Sequence, residues 1–162
     1  GQEWIAAVLG MAAIVATFII SPLNISNAPT VVNRPINLNL LYEDATNKPA
    51  AELRTGKHII AYMSLTCPHC RKAAYLLRVL KKQNPEIPVY LVLSGHPDNK
   101  EAFFKESNAE DLPFLLYKDI AAFQEMAGDA VPAIYWVNNG TIEKESTCLQ
   151  LDPSDIKDWI RQ

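Results

Sequence analysis

Residues 58–95 constrain the fold most. "HIIAYMS" (58–64) and "PVYLVLSG" (88–95) are short apolar runs rich in β-preferring residues, and they read as buried strands. One helix lies between them. Cys70, Ala73, Leu77 and Leu80 recur at spacings of three and four on one face. Arg78, Lys81 and Lys82 lie near its end, where the helix dipole favours cations, and Asn84-Pro85 stops it. Strand, helix and strand joined by loops this short form a βαβ unit, hence a parallel strand pair.

The flanking segments extend that unit. "INLNLL" (36–41) alternates as an edge strand would, and a polar helix is expected near 98–108. A strand at 113–118 and a helix at 119–127 follow. Residues 131–147 read as two strands around an Asn139-Gly140 hairpin turn. Residues 153–162 form a closing helix, with Asp152 or Ser154 as its cap. The pattern is α/β: a mixed sheet with helices on both faces, over residues 36–162.

The N-terminus differs. Trp4 to Ile20 is 17 residues without a charge, about 26 Å long as a helix at ~1.5 Å per residue. Ser21, Pro22 and Leu23 would extend it toward a bilayer core of ~30 Å. A signal peptide would begin with a basic region, yet no Lys or Arg precedes Arg34. Residues 1–23 are therefore expected to form a transmembrane helix, as an anchor or the last span of a longer membrane protein. Residues 24–35, within the proline- and asparagine-rich "SPLNISNAPTVVNRP", read as an extended linker.

Composition narrows the function. The 162 residues carry 15 Lys+Arg against 18 Asp+Glu, with no basic block, so nucleic acid is not an expected partner. Three cysteines, Cys67, Cys70 and Cys148, are too few for a disulfide-stapled scaffold. Cys67 and Cys70 sit in "CPHC" where a strand hands over to the helix. Pro68 suits the first helical turn, which makes Cys67 the N-cap or its neighbour. Unpaired backbone N–H groups and the positive dipole end then favour thiolate at its sulfur, and His69 adds a polar group beside it. Cys70 lies one turn further in, on the apolar face.

An exposed thiol backed by a shielded one suits thiol–disulfide exchange, in which one attacks and the other resolves. Two alternatives stand beside it. A zinc site normally takes four ligands, and beyond this pair the chain offers Cys148 and three histidines, with His58 on a core strand and His96 in a loop. A structural disulfide across so short a loop would stabilise little. No metal or cofactor is assigned.

"CPHC" at a strand–helix junction, followed later by "AVPAIYWVNNG", resembles the thioredoxin superfamily over residues 36–162. The Pro-His dipeptide is similar to that of DsbA-type oxidases, and the scaffold resembles the membrane-anchored TlpA/ResA group. The resemblance implies a thioredoxin-like fold, with Cys67 as nucleophile, Cys70 as resolving thiol, and Pro68 and His69 as tuning residues. It implies a cis Val131–Pro132 bond at the substrate groove. Two departures are visible: Thr66 replaces a tryptophan, and Ala61 stands where relatives place a buried acid.

The expected function is a membrane-tethered thiol–disulfide oxidoreductase facing a periplasmic or other extracytoplasmic compartment. Its partners would be cysteine-containing proteins and a membrane redox partner or fused membrane domain. The alternatives are a copper chaperone using the same cysteines and an electron-relay module of a larger membrane protein. A regular hairpin register would set Cys148 opposite Val131 and Thr147 opposite Pro132, so Cys148 is expected on the rim of the groove, as packing or as a third exchange thiol.

Overall fold

The computed structural model describes residues 4–5 and 28–162. The expected membrane segment lies outside the described residues apart from Trp4 and Ile5. Among the described residues no helix is long and apolar enough to cross a membrane.

Strands β1 (Thr30–Pro35), β2 (Lys57–Ser64), β3 (Val89–Ser94), β4 (Phe114–Leu116), β5 (Ala133–Asn138) and β6 (Thr141–Ser146) form one sheet in the order β1-β6-β5-β2-β3-β4. β2 pairs in parallel with β3, and β3 with β4, while β5 runs antiparallel to both β2 and β6. β2 is central and covered on both faces, which accounts for its nearly unbroken apolar run.

Helices α1 (Pro68–Gln83), α2 (Lys100–Ser107) and α4 (Pro153–Arg161) cover one face. Leu77, Phe103, Trp136 and Trp159 fill the core beneath them. Helix α3 (Ile120–Ala127) and a 3-10 turn (Leu38–Tyr42) cover the other face, over Tyr62, Tyr90 and Tyr135. α1 begins at an N-cap Cys67 and ends at Asn84, whose backbone N–H reaches the Leu80 carbonyl. Cys70, Ala73, Ala74, Leu77 and Leu80 are its buried face. Asp152 caps α4, accepting from the Ser154 and Asp155 amides.

The edge strand is not where the alternation at 36–41 puts it. Residues 30–35, inside the expected linker, supply it, pairing with β6 from Thr30↔Glu145 to Pro35↔Thr141. Thr30, Val31 and Val32 are β-branched, Arg34 lies 5.0 Å from the centre of the Tyr135 ring, and Pro35 is tolerable at an edge. Leu38 and Leu41, three apart, bury one side of the 3-10 turn, whose three-residue period stacks them.

The β5–β6 hairpin turns on Asn139 and Gly140, both at positive φ (48° and 77°), as a two-residue primed turn requires. Its register is interrupted. Val137 pairs with Ile142, but Trp136 pairs with Lys144, which leaves Glu143 as an extra residue. The Glu143 carboxylate accepts from Asn138 Nδ2 at 2.8 Å and Trp159 Nε1 at 2.6 Å, which holds the bulge toward α4. The regular register expected for Cys148 and Thr147 is therefore lost. The ladder ends at Ile134↔Ser146, and Thr147–Gln150 close a turn through Gln150 N to Thr147 O, 3.1 Å.

Leu77 is fully buried on the helix that presents the cysteines. Leu77→Ala is expected to cost about 2–5 kcal/mol in urea unfolding of the reduced protein, while Cys67 keeps its reactivity below the transition.

Candidate active site

β2 delivers the chain to Ser64, and the next three residues turn it into α1. The turn is held by its own backbone: Leu65 N donates to Ser94 O at 2.9 Å and Cys67 N to Ser64 O at 3.2 Å. Arg71 secures it from the helix side. Its Nε and Nη2 donate to the Leu65 carbonyl at 3.2 and 3.1 Å, and its Nη1 pairs with Glu106 at 2.7 Å.

Cys67 takes the N-cap position with extended backbone, and the Cys70 amide donates to its sulfur at 3.3 Å. A cap of this kind ties the sulfur to the first turn of the helix, with the amide hydrogen of Cys70 directed at it. Pro68 and His69 are exposed beside it. Cys70 is fully buried, and the Ser64 amide donates to its sulfur at 3.4 Å. Burial pushes the Cys70 thiol up to about 12, helped by its hydrogen bond with Cys67 and opposed by the Ser64 amide. No carboxylate acts on it; Ala61 is buried within β2.

The Val131–Pro132 peptide bond is cis, and both residues are partly exposed. Pro132 helps line an open groove of about 650 Å³, together with His69, Lys72, Cys148, Leu149 and Thr30. The groove thus joins three residues expected at the site: His69, Pro132 and Cys148. Pro68 faces solvent, Val131 packs against both cores, and Cys67 packs half-buried at the α1 end. Cys148 is half-buried in the turn after β6.

Thr30 and Lys72 are groove residues beyond those expected at the site; in the sequence Lys72 reads only as added positive charge beside the cysteines. Lys72 was accessible from spacing, since it follows His69 by three on a helix. Thr30 carried no signal, lying in a stretch that reads as linker. Among the described residues no group of three His, Cys, Asp or Glu side chains could hold a metal ion. His58 pairs with the Thr55 carbonyl at 2.8 Å, and His96 caps the 3-10 turn at 97–99.

No protein-family profile matches the chain. Over 96 residues, 57% of the chain, it is 30% identical to Protein TlpB of Flavobacterium psychrophilum. It spans about a quarter of that protein, 26% of its length. A thiol:disulfide interchange protein from Bacteroides sp. superposes with a TM-score of 0.56 at 13% identity, over 83% of this chain and 91% of that one. MTB dsbF superposes with a TM-score of 0.52 at 13% identity, over 65% and 79%. The thioredoxin domain of a Bacteroides vulgatus thiol-disulfide oxidoreductase gives 0.51 at 16%, over 66% and 81%. The chain has the thioredoxin-like fold.

The difference between the two thiols sets an order of reaction. In the reduced protein, iodoacetamide at pH 7 is expected to modify Cys67 first and to spare Cys70. The Cys70 rate should climb as pH rises toward 12, because only the thiolate reacts. Peptide mass spectrometry reads both; early labelling of Cys70 would reverse the roles.

Proposed function

We propose that the chain is a thiol–disulfide oxidoreductase, with Cys67 as the attacking sulfur and Cys70 as the resolving one. The observation that carries this reading is the N-cap hydrogen bond from the Cys70 amide to the Cys67 sulfur, with Cys70 itself fully buried behind it. The Cys67 thiolate attacks one sulfur of a substrate disulfide. The new Cys67–substrate S–S bond forms as the substrate's own breaks, and the released thiolate takes a proton from water. Cys70 then gives up its proton and attacks the Cys67 sulfur, expelling the second substrate thiolate. Two electrons pass to the substrate, and the pair ends as a disulfide; the reverse sequence oxidises a dithiol.

The groove beside Pro132 suits an extended segment of a cysteine-containing protein, whose backbone would pair beside Val131 and Pro132. Cys148 contributes part of its wall. Pro68 pre-sets the first turn, and His69 adds a polar group near the attacking sulfur.

A membrane-tethered, extracytoplasmic setting extends the same reading. Its support is the uncharged run from Trp4 to Ile20 and the similarity to part of TlpB. The described domain also begins beside the groove: Gln150 Nε2 donates to the Ala28 carbonyl at 3.2 Å, and Thr30 is on the rim. A tether entering there keeps the reactive end near the membrane surface, within reach of a membrane redox partner or a fused membrane domain.

Cys67→Ser should abolish exchange with insulin disulfides. Cys70→Ser should accumulate a mixed disulfide on Cys67, visible on non-reducing gels and by mass. Retained turnover in Cys67→Ser, or trapping on Cys148 instead, would defeat the assignment. With no carboxylate acting on a thiol held near 12, resolution by Cys70 should speed up about tenfold per pH unit between pH 7 and 9. A flat profile in rapid-quench measurements would reveal an internal base.

A further inference from the structure

We infer that the groove selects extended cysteine peptides carrying Asp or Glu two residues from the reacting cysteine, with that carboxylate paired to Lys72. The inference rests on the exchange activity proposed above and concerns its substrate class.

Lys72 is exposed and borders the groove beside His69. Three other cations of α1 are already engaged by the chain, and Lys82 lies in its last turn, at the far end from the cysteines. Arg71 pairs with Glu106, Arg78 lies 3.5 Å from Asp111, and Lys81 donates to the Pro85 and Ile87 carbonyls. Among the described residues no carboxylate pairs with Lys72. Glu145 is the groove's acidic neighbour, but it stands opposite Tyr135, whose ring belongs to the other core, and its charge acts on the Tyr135 hydroxyl. The α1 side of the groove therefore presents positive charge without an internal counter-charge.

Spacing sets where the matching acid falls. Lys72 follows Cys67 by five residues, about 7.5 Å along the helix axis at ~1.5 Å per residue and roughly 140° around it at 3.6 residues per turn, an offset that its long flexible side chain can span. In an extended peptide, side chains two residues apart share a face at about 6.6–6.8 Å. With a substrate sulfur at Cys67, a side chain two positions away along the peptide comes within reach of the Lys72 ammonium, and the one between them points elsewhere. The groove is also lined by Leu149, an apolar side chain that is 78% exposed. An acid toward α1 and apolar surface toward Leu149 complement the groove.

The test uses the full chain, reduced, and short peptides in which one cysteine is joined by a disulfide to a chromogenic aromatic thiol. Cys67 attacks the peptide sulfur, the peptide–reporter bond breaks, and the reporter thiolate is read by absorbance. Peptides carry Glu, Ala or Lys two residues before or after the cysteine. In at least one of the two positions Glu should react faster than Ala and Ala faster than Lys. The Glu-to-Lys ratio should be about three- to tenfold at low salt and approach one at 1 M salt. Lys72→Glu should reverse the order, and Lys72→Met should flatten it. Equal rates throughout, or a Glu preference unchanged in Lys72→Glu, overturn the inference and leave exchange activity standing. Absence of reporter release from every peptide overturns the exchange reading as well. The salt series on the unaltered protein decides the matter should a variant fail to fold.

Discussion

The amide of Cys70 donating to the sulfur of Cys67 is the contact around which the rest is arranged. It exists only because α1 starts where it does. β2 must end at Ser64, the turn must close through Cys67 N to Ser64 O, and Arg71 must hold the Leu65 carbonyl from within the helix. The helix stays in register because its opposite face is driven into the core at Leu77 and Leu80. Hydrophobic burial thus fixes a polar geometry: the apolar stripe orients α1, and that orientation aims unpaired N–H groups at one sulfur. The second sulfur is carried one turn inward by the same stripe.

This arrangement separates the thiols by environment. Cys67 has the Cys70 amide and partial solvent access. Cys70 has burial and a single amide from Ser64, with no carboxylate acting on it. Ala61 in β2 is fully buried and brings no titratable group to the core. In the exchange proposed for this pair the accessible sulfur acts first, and the second must shed a proton from buried surroundings.

Much of this was legible in sequence. The apolar face of α1, its basic end, the two buried strands and the Asn139-Gly140 turn all follow from local period and turn chemistry, so they emerged with nearly their observed limits. Two misses have distant causes. Residues 30–35 read as linker because Asn33, Arg34 and Pro35 mask a strand whose pairing depends on β6, more than a hundred residues away. Cys148 lost its expected partner because Glu143 bulges out to meet Trp159, a tertiary contact without local signature. Its position on the groove wall nevertheless resembles the expectation, since β6 returns toward the cysteines in either register. Lys72 reads in the sequence as positive charge near the cysteines, and its place on the groove depends on the turn after β6, which is distant in the chain.

The most direct measurement is the equilibrium of the Cys67–Cys70 disulfide against graded glutathione buffers, with the linkage located by peptide mass. The account predicts a reversible two-electron couple confined to that pair, with a midpoint between about −270 and −120 mV, the span of thioredoxin-like proteins. Failure to form this disulfide even in the most oxidising buffer, or a disulfide to Cys148 in its place, would contradict it.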